Sequence, residues 1–148
     1  MELYLGAGLA IGLAGLGVGI GEGIVAKKAI RLMGKDKKAM NSLLVVTVLG
    51  IALVESAAIY GLIIALQVIG LDYETFTMGG KAIGAGIAIG AAGLGAGIGE
   101  GLLISGALDA MYRNPAVKTK IMTFMILFLA IIESVAIYGL VIALSLLK

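Results

Sequence analysis

Gly6-Ala-Gly-Leu-Ala-Ile-Gly-Leu-Ala-Gly-Leu-Gly-Val-Gly-Ile-Gly-Glu-Gly23 returns without a gap as Gly84-Ala-Gly-Ile-Ala-Ile-Gly-Ala-Ala-Gly-Leu-Gly-Ala-Gly-Ile-Gly-Glu-Gly101. The second stretch lies 78 residues on, and the same shift carries Glu55-Ser-Ala-Ala-Ile-Tyr-Gly-Leu62 onto Glu133-Ser-Val-Ala-Ile-Tyr-Gly-Leu140. Two residues turn a helix by about 200°, so alternate glycines fall on opposite sides. Gly15, Gly19 and Gly23 form one i, i+4 row, and Gly17 and Gly21 part of another. A simple membrane dimer needs one row of small residues on one face. Two rows allow close neighbours on both flanks, as the narrow inner wall of a helical ring requires. Neither glycine-rich stretch holds an aromatic residue, whereas Tyr60, Phe124, Phe128 and Tyr138 lie in the other apolar runs. The pattern predicts thin helices inside and thicker ones outside. Ordinary small-residue packing in a bundle explains single rows equally well; the double row, repeated in register, favours the ring.

Outward from these stretches the chain is apolar throughout. Hydrophobic residues make up 61% of it and charged residues 14%, against about 45–50% and 25% in soluble domains. A water-soluble fold of this size could not hide so much apolar surface. There is no Cys, hence no disulfide framework or thiolate metal site, and no His to serve as the usual general base. The net charge of +2 is too small to argue for nucleic acid. The first segment begins Met1-Glu2 and runs apolar far beyond the roughly 7–15 residues of a signal h-region. It is read as a first span kept in the mature protein.

Four apolar runs, roughly Tyr4 to Ile30, Asn41 to Gly70, Gly79 to Leu108 and Thr119 to Leu147, each exceed the roughly 20 helical residues that cross a bilayer. They are too long for membrane strands of about 9–11 residues. The expectation is an all-α membrane protein of four transmembrane helices. They form two tandem hairpins, residues 1–70 and 79–148, joined by a connector at 71–78. Lys27, Lys28, Arg31, Lys35, Lys37 and Lys38 gather at the first hairpin's turn, and Arg113, Lys118 and Lys120 at the second's. The connector Leu71-Asp72-Tyr73-Glu74-Thr75-Phe76-Thr77 is acidic. The positive-inside rule puts both basic loops in the cytoplasm, and the termini and connector outside. Both hairpins therefore run the same way, unlike the inverted repeats of many transporters. Parallel hairpins continue side by side around an axis along the membrane normal.

Each hairpin holds two lone carboxylates, Glu22 with Glu55 and Glu100 with Glu133, 33 residues apart in both cases. A mid-membrane carboxylate costs at least about 2.5 kcal/mol, so it is rarely idle. One lies before the turn and one after it, which lets an antiparallel hairpin bring them to similar depth. Two carboxylates at one buried site do not both ionise cheaply, so one holds a proton unless a cation enters. Ser56 and Tyr60 in the first hairpin, and Ser134 and Tyr138 in the second, add oxygen ligands or supports. Alone, such serines often bond their own helix backbone and such tyrosines pack. A purely interhelical role for the glutamates explains one lone carboxylate better than four in two equivalent pairs. Glu2, Asp72 and Glu74 read as solvated surface groups.

These residues resemble the proteolipid (c or K) subunit of rotary ATPases over nearly the whole chain. The likeness lies in the Gly-x-Gly-x-Gly helix, a polar loop and a lone carboxylate on the second helix of each hairpin. It implies a rotor ring of many copies turning against a stator subunit, whose arginine opens each carboxylate site. Glu55 and Glu133 are then the ion carriers, for Na⁺ or H⁺, with no cofactor. Glu22, Ser56 and Tyr60, and Glu100, Ser134 and Tyr138, are the co-ligands or supports. Na⁺ would sit at Glu22, Glu55 and Ser56, and at Glu100, Glu133 and Ser134. Glu22 and Glu100 take the position usually filled by glutamine in sodium binders. Ala57 and Val135 stand where those often carry threonine. Arg113-Asn114-Pro115 resembles the loop that meets the central stalk in single-hairpin F-type members, and Lys35-Asp36-Lys37 departs from it. The tandem layout is similar to V-type or archaeal-type subunits, many of which keep one carboxylate where this chain keeps both. The resemblance further implies a multi-pass protein of a prokaryotic cell membrane.

A self-contained cation channel or transporter is the rival reading, opposed by short loops, the lack of a sizeable gate and the parallel repeats. A non-transporting scaffold proteolipid explains the glycines but not the carboxylates. No Gly-Lys-Ser/Thr phosphate cradle occurs, so ATP would be handled by other subunits.

Overall fold

In the computed structural model, residues 1–71 and 79–148 are described. Among them lie five α-helices that make four spans. The first is α1 (Glu2–Met33). The second is α2 (Lys37–Val54) continued by α3 (Ser56–Ile69). The third is α4 (Gly79–Arg113), and the fourth is α5 (Lys118–Leu146), entered through a short 3₁₀ turn at Pro115–Val117. All four spans are long and apolar enough to cross a membrane. The expected connector falls largely on residues 72–78, outside the described residues, and with it the placement of Asp72 and Glu74.

Three of the helices run further toward the basic turns than the apolar runs predict. α1 ends at Met33 rather than Ile30, α2 starts at Lys37 rather than Asn41, and α4 ends at Arg113 rather than Leu108. Helix ends can leave the apolar layer when polar groups satisfy them. Arg31 and Arg113 sit in the last turns of α1 and α4, where a cation complements the helix dipole. Asp36 is extended, and its carboxylate accepts the Lys38 N–H at 3.0 Å, an N-cap that starts α2 directly after the turn. The other turn relies on Pro115, whose fixed φ suits a first helical position.

The second span is also interrupted, at Glu55. That residue keeps right-handed helical angles, and its N–H still reaches Ile51 O at 3.1 Å. Ser56 Oγ donates back to Leu53 O at 2.6 Å, and the equivalent Ser134 does the same to Ile131 O at 2.7 Å. α5 runs unbroken through Glu133.

Hairpin one (α1 with α2–α3) lies beside hairpin two (α4 with α5), and the thin helices α1 and α4 form the broadest contact. Their glycines allow it. A methyl group on Gly97 would stand 2.7 Å from the Gly17 carbonyl carbon, and one on Gly101 2.6 Å from that of Gly21. The seam is backbone against backbone. One core cluster lies toward the basic turns, around Val25, Leu43, Val46, Ile104, Leu108 and Met111. The other lies toward the chain ends, around Leu3, Ile64, Val68 and Ile89. The turns are further joined by Lys28 Nζ to Asp109 Oδ1 at 3.3 Å, by Lys118 Nζ donating to Ser42 O, and by Lys35 over the Tyr112 ring at 5.6 Å. The most apolar span, α5, is also the least covered, as a helix facing lipid would be.

Candidate ion site between the hairpins

A helix advances 100° per residue, so Glu55 and Ser56 point toward different neighbours, while Ser56 and Tyr60, four apart, share a face. The structure follows this geometry. Ser56 and Tyr60 of α3 look across the seam to Glu133 of α5 and Glu100 of α4, around a cavity of about 290 Å³. Ser56 Oγ lies 2.8 Å from Glu133 Oε1. The sequence grouped Ser56 with Glu22 and Glu55 of its own hairpin; here its hydroxyl reaches Glu133 of the other hairpin. The spacing held part of the signal: Ser56 and Tyr60, four apart, share a face, and Glu55 is turned about 100° from Ser56.

Glu100 is 1% exposed, and its Oε2 and that of Glu133 are buried without a hydrogen-bond partner. The two carboxyl groups line the same cavity. Ionised carboxylates only accept. Two acceptors facing one another out of water are satisfied when a proton or a cation lies between them. The Ser56 hydroxyl has one proton and two acceptors in range, Leu53 O and Glu133 Oε1. When that proton goes to Leu53 O, the serine oxygen accepts from a protonated Glu133. When Glu133 is ionised, the hydroxyl turns to it. Tyr60 faces Glu133 across the cavity, and Leu53, Ile126, Leu129 and Ala130 form the apolar wall. Sequence reasoning missed that wall. The Leu53 carbonyl was traceable in principle, since it lies three residues before Ser56 and accepts its hydroxyl.

The other set is open. Glu22 is only half-buried and Glu55 is exposed. Ser134 Oγ donates to Ile131 O at 2.7 Å, and Tyr138 is 65% exposed. By the repeat, Ser134 and Tyr138 occupy the edge of hairpin two that faces away from hairpin one. At the turn, Arg113 Nε lies 2.7 Å from Asp109 Oδ2; Asn114 precedes the 3₁₀ turn that Pro115 opens.

A model of the ATP synthase C-subunit family matches residues 5–68 and again 83–146. The chain is 36% identical over 143 residues to the K subunit of the A-type ATP synthase of Methanocaldococcus jannaschii, covering 97% of this chain and 60% of that relative. It is 50% identical over 74 residues to the ATP synthase c-subunit of Geobacter sulfurreducens, covering 50% of this chain and 79% of that one. With the chloroplastic ATP synthase c-subunit of Porphyra purpurea it shares 43% identity over 74 residues, 50% of this chain and 90% of that protein.

Proposed function

The chain belongs to the ATP synthase C-subunit family, and from that premise we propose that it is the ion-carrying subunit of a membrane rotor ring, binding one cation per hairpin. The observation that carries this reading is the Ser56–Glu133 contact beside the buried, unpartnered oxygens of Glu100 and Glu133. It supports a site that takes a cation among hard oxygens and releases it when the glutamate is exposed. The oxygen set fits Na⁺, with H⁺ the alternative cargo. One carboxyl keeps a proton while the other meets the ion, so the loaded site is neutral as it passes through lipid.

The open set completes the same arrangement between copies. Glu55 takes the role of Glu133, Glu22 that of Glu100, and the next copy supplies Ser134 and Tyr138 as Ser56 and Tyr60 are supplied within the chain. Each copy therefore carries two ions per turn. The chain does no bond chemistry itself. A stator subunit would open each site with an arginine. The central stalk would engage the basic turns, including Arg113, Asn114 and Pro115. Those turns face the cytoplasm of a prokaryotic cell, with residues 71–78 outside.

A hydrophobic carbodiimide, which attacks protonated membrane carboxyls, tests this. Modification is expected at Glu133 and Glu55 with loss of ATP-driven ion uptake, and Na⁺ is expected to protect both. Equal labelling with and without Na⁺ would remove sodium and leave the proton. Unimpaired uptake after full modification would remove the carrier role.

A further inference from the structure

An apolar groove of about 510 Å³ between α4 and α5, lined in part by Gly106, Phe124 and Phe128, has a counterpart inside the chain that is already filled. Shifted back by 78, those positions are Lys28, Val46 and Gly50. On hairpin one this groove is closed. Val25, Leu43 and Val46 are at most 1% exposed and share a core cluster with Ile104, Leu108 and Met111 of α4. Ile104 enters deepest, its Cγ2 only 2.9 Å from where a methyl group on Gly50 would stand.

The residues that do the filling also have free counterparts. Ile104 and Leu108 correspond to Ala26 and Ile30 on α1. Leu108 is fully buried, whereas Ile30 is 73% exposed. The glycines repeat the contrast. Methyl groups on Gly86, Gly90, Gly97 and Gly101 would strike hairpin one, while their equivalents Gly8, Gly12, Gly19 and Gly23 have nothing within 4 Å. One edge of the chain thus holds an open groove, and the opposite edge holds an unused copy of what fills it.

We propose that the Ala26–Met33 end of α1 from a second copy of this chain seats in the open groove, with Ile30 in the place that Leu108 takes inside and Ala26 against Phe128. This rests on the rotor-ring reading and adds the register and the packing of the seam between copies. The two seams differ in where the bulk lies. Inside the chain a large Ile104 meets Gly50; between copies a small Ala26 meets Phe128. The bulk moves from the glycine-rich helix to the outer one, with Phe128 taking up the space that Ile104 fills inside the chain. The mixed pairs do not fit, since Ile on Phe overfills and Ala on Gly leaves a hole. The seams also differ in charge. Lys28 meets Asp109 inside the chain, and the equivalent positions between copies are Gly106 and Arg31, which form no ion pair.

The chain has no cysteine, so introduced pairs are its only thiols. In the full chain in its membrane, Ala26→Cys with Phe128→Cys is expected to give a ladder of disulfide-linked oligomers on oxidation. Gly50→Cys with Ile104→Cys is expected to close within one chain and give no ladder. If the inner pair closes, the outer one does not, and native mass spectrometry still finds a ring, the register is wrong and the rotor reading stands. A chain that never assembles beyond a monomer overturns both. Packing is tested by Ala26→Ile, expected to weaken detergent resistance of the ring, and by adding Phe128→Gly, expected to restore it. An Ala26→Ile ring as resistant as the parent, or no recovery in the double variant, overturns the size exchange.

Discussion

Hairpins one and two are near-copies in sequence, yet their carboxylates live in different surroundings. Glu100 is almost wholly buried and Glu133 is bonded by Ser56, while Glu22 is half-buried and Glu55 is open. Tyr60 lies inside a cavity and Tyr138 is mostly exposed. The difference lies in what the seam adds, since Ser56 of hairpin one reaches Glu133 of hairpin two. In the proposed ring each hairpin supplies carboxylates to one seam and a serine and tyrosine to the other, so one site closes within the chain and its twin is completed by a neighbour.

The largest expected break in this comparison is removal of a carrier. Glu133→Gln and Glu55→Gln should each take ATP-driven ion uptake in membrane vesicles to background, because every site passes the stator in turn. If Glu55→Gln alone leaves uptake intact, the hairpins are unequal in function as well as in surroundings. Next come the glycines. Gly97→Ala puts a methyl 2.7 Å from Gly17 and Val18 backbone atoms, and overpacking of this kind costs about 1–3 kcal/mol. It should lower the melting temperature of the chain itself. Gly19→Ala, its equivalent in open space, should leave the isolated chain unchanged and lower only the detergent resistance of the assembly.

A smaller effect separates the serines. A hydrogen bond to a charged group contributes about 1.5–3 kcal/mol, so Ser56→Ala should weaken Na⁺ protection of Glu133 from carbodiimide by about tenfold or more. Ser134→Ala should do the same to Glu55 in the assembly and nothing to Glu133. Loss of protection at the glutamate of the same hairpin would support the within-hairpin grouping. Smallest of all is Asp109→Asn, which frees Lys28 and Arg113. The pair with Lys28 is partly exposed and screened by salt, so a slight loss of thermal stability, visible at low salt and gone at high salt, is expected.

Much of the fold is legible in the residues alone, for physical reasons. Four long apolar runs leave little choice but helices, and a gap-free repeat makes two equivalent hairpins. The helix ends are less legible because apolarity marks only the part that needs lipid. Capping by Asp36 and the arginines near the ends carry α1, α2 and α4 further. The reach of Ser56 to Glu133 is less legible for a different reason. Closeness along the chain is not closeness in space, because consecutive helical positions diverge by 100°. Ser56 and Tyr60 share a face, and Glu55 is turned about 100° from Ser56. The wall of Leu53, Ile126, Leu129 and Ala130 has no such mark, since apolar residues in an apolar helix carry no signal until the neighbour is known.

The covalent joining of two hairpins has an arithmetic consequence. A ring of single hairpins can gain or lose one ion site at a time. With one ion per hairpin, as proposed, a ring of this chain changes only by whole chains, so its number of sites is even and the number of ions per turn moves in steps of two. Any adjustment of the exchange ratio between ions and ATP in such a ring is therefore coarse, made by adding or removing a chain, or by silencing one of the two proposed carriers, Glu55 or Glu133.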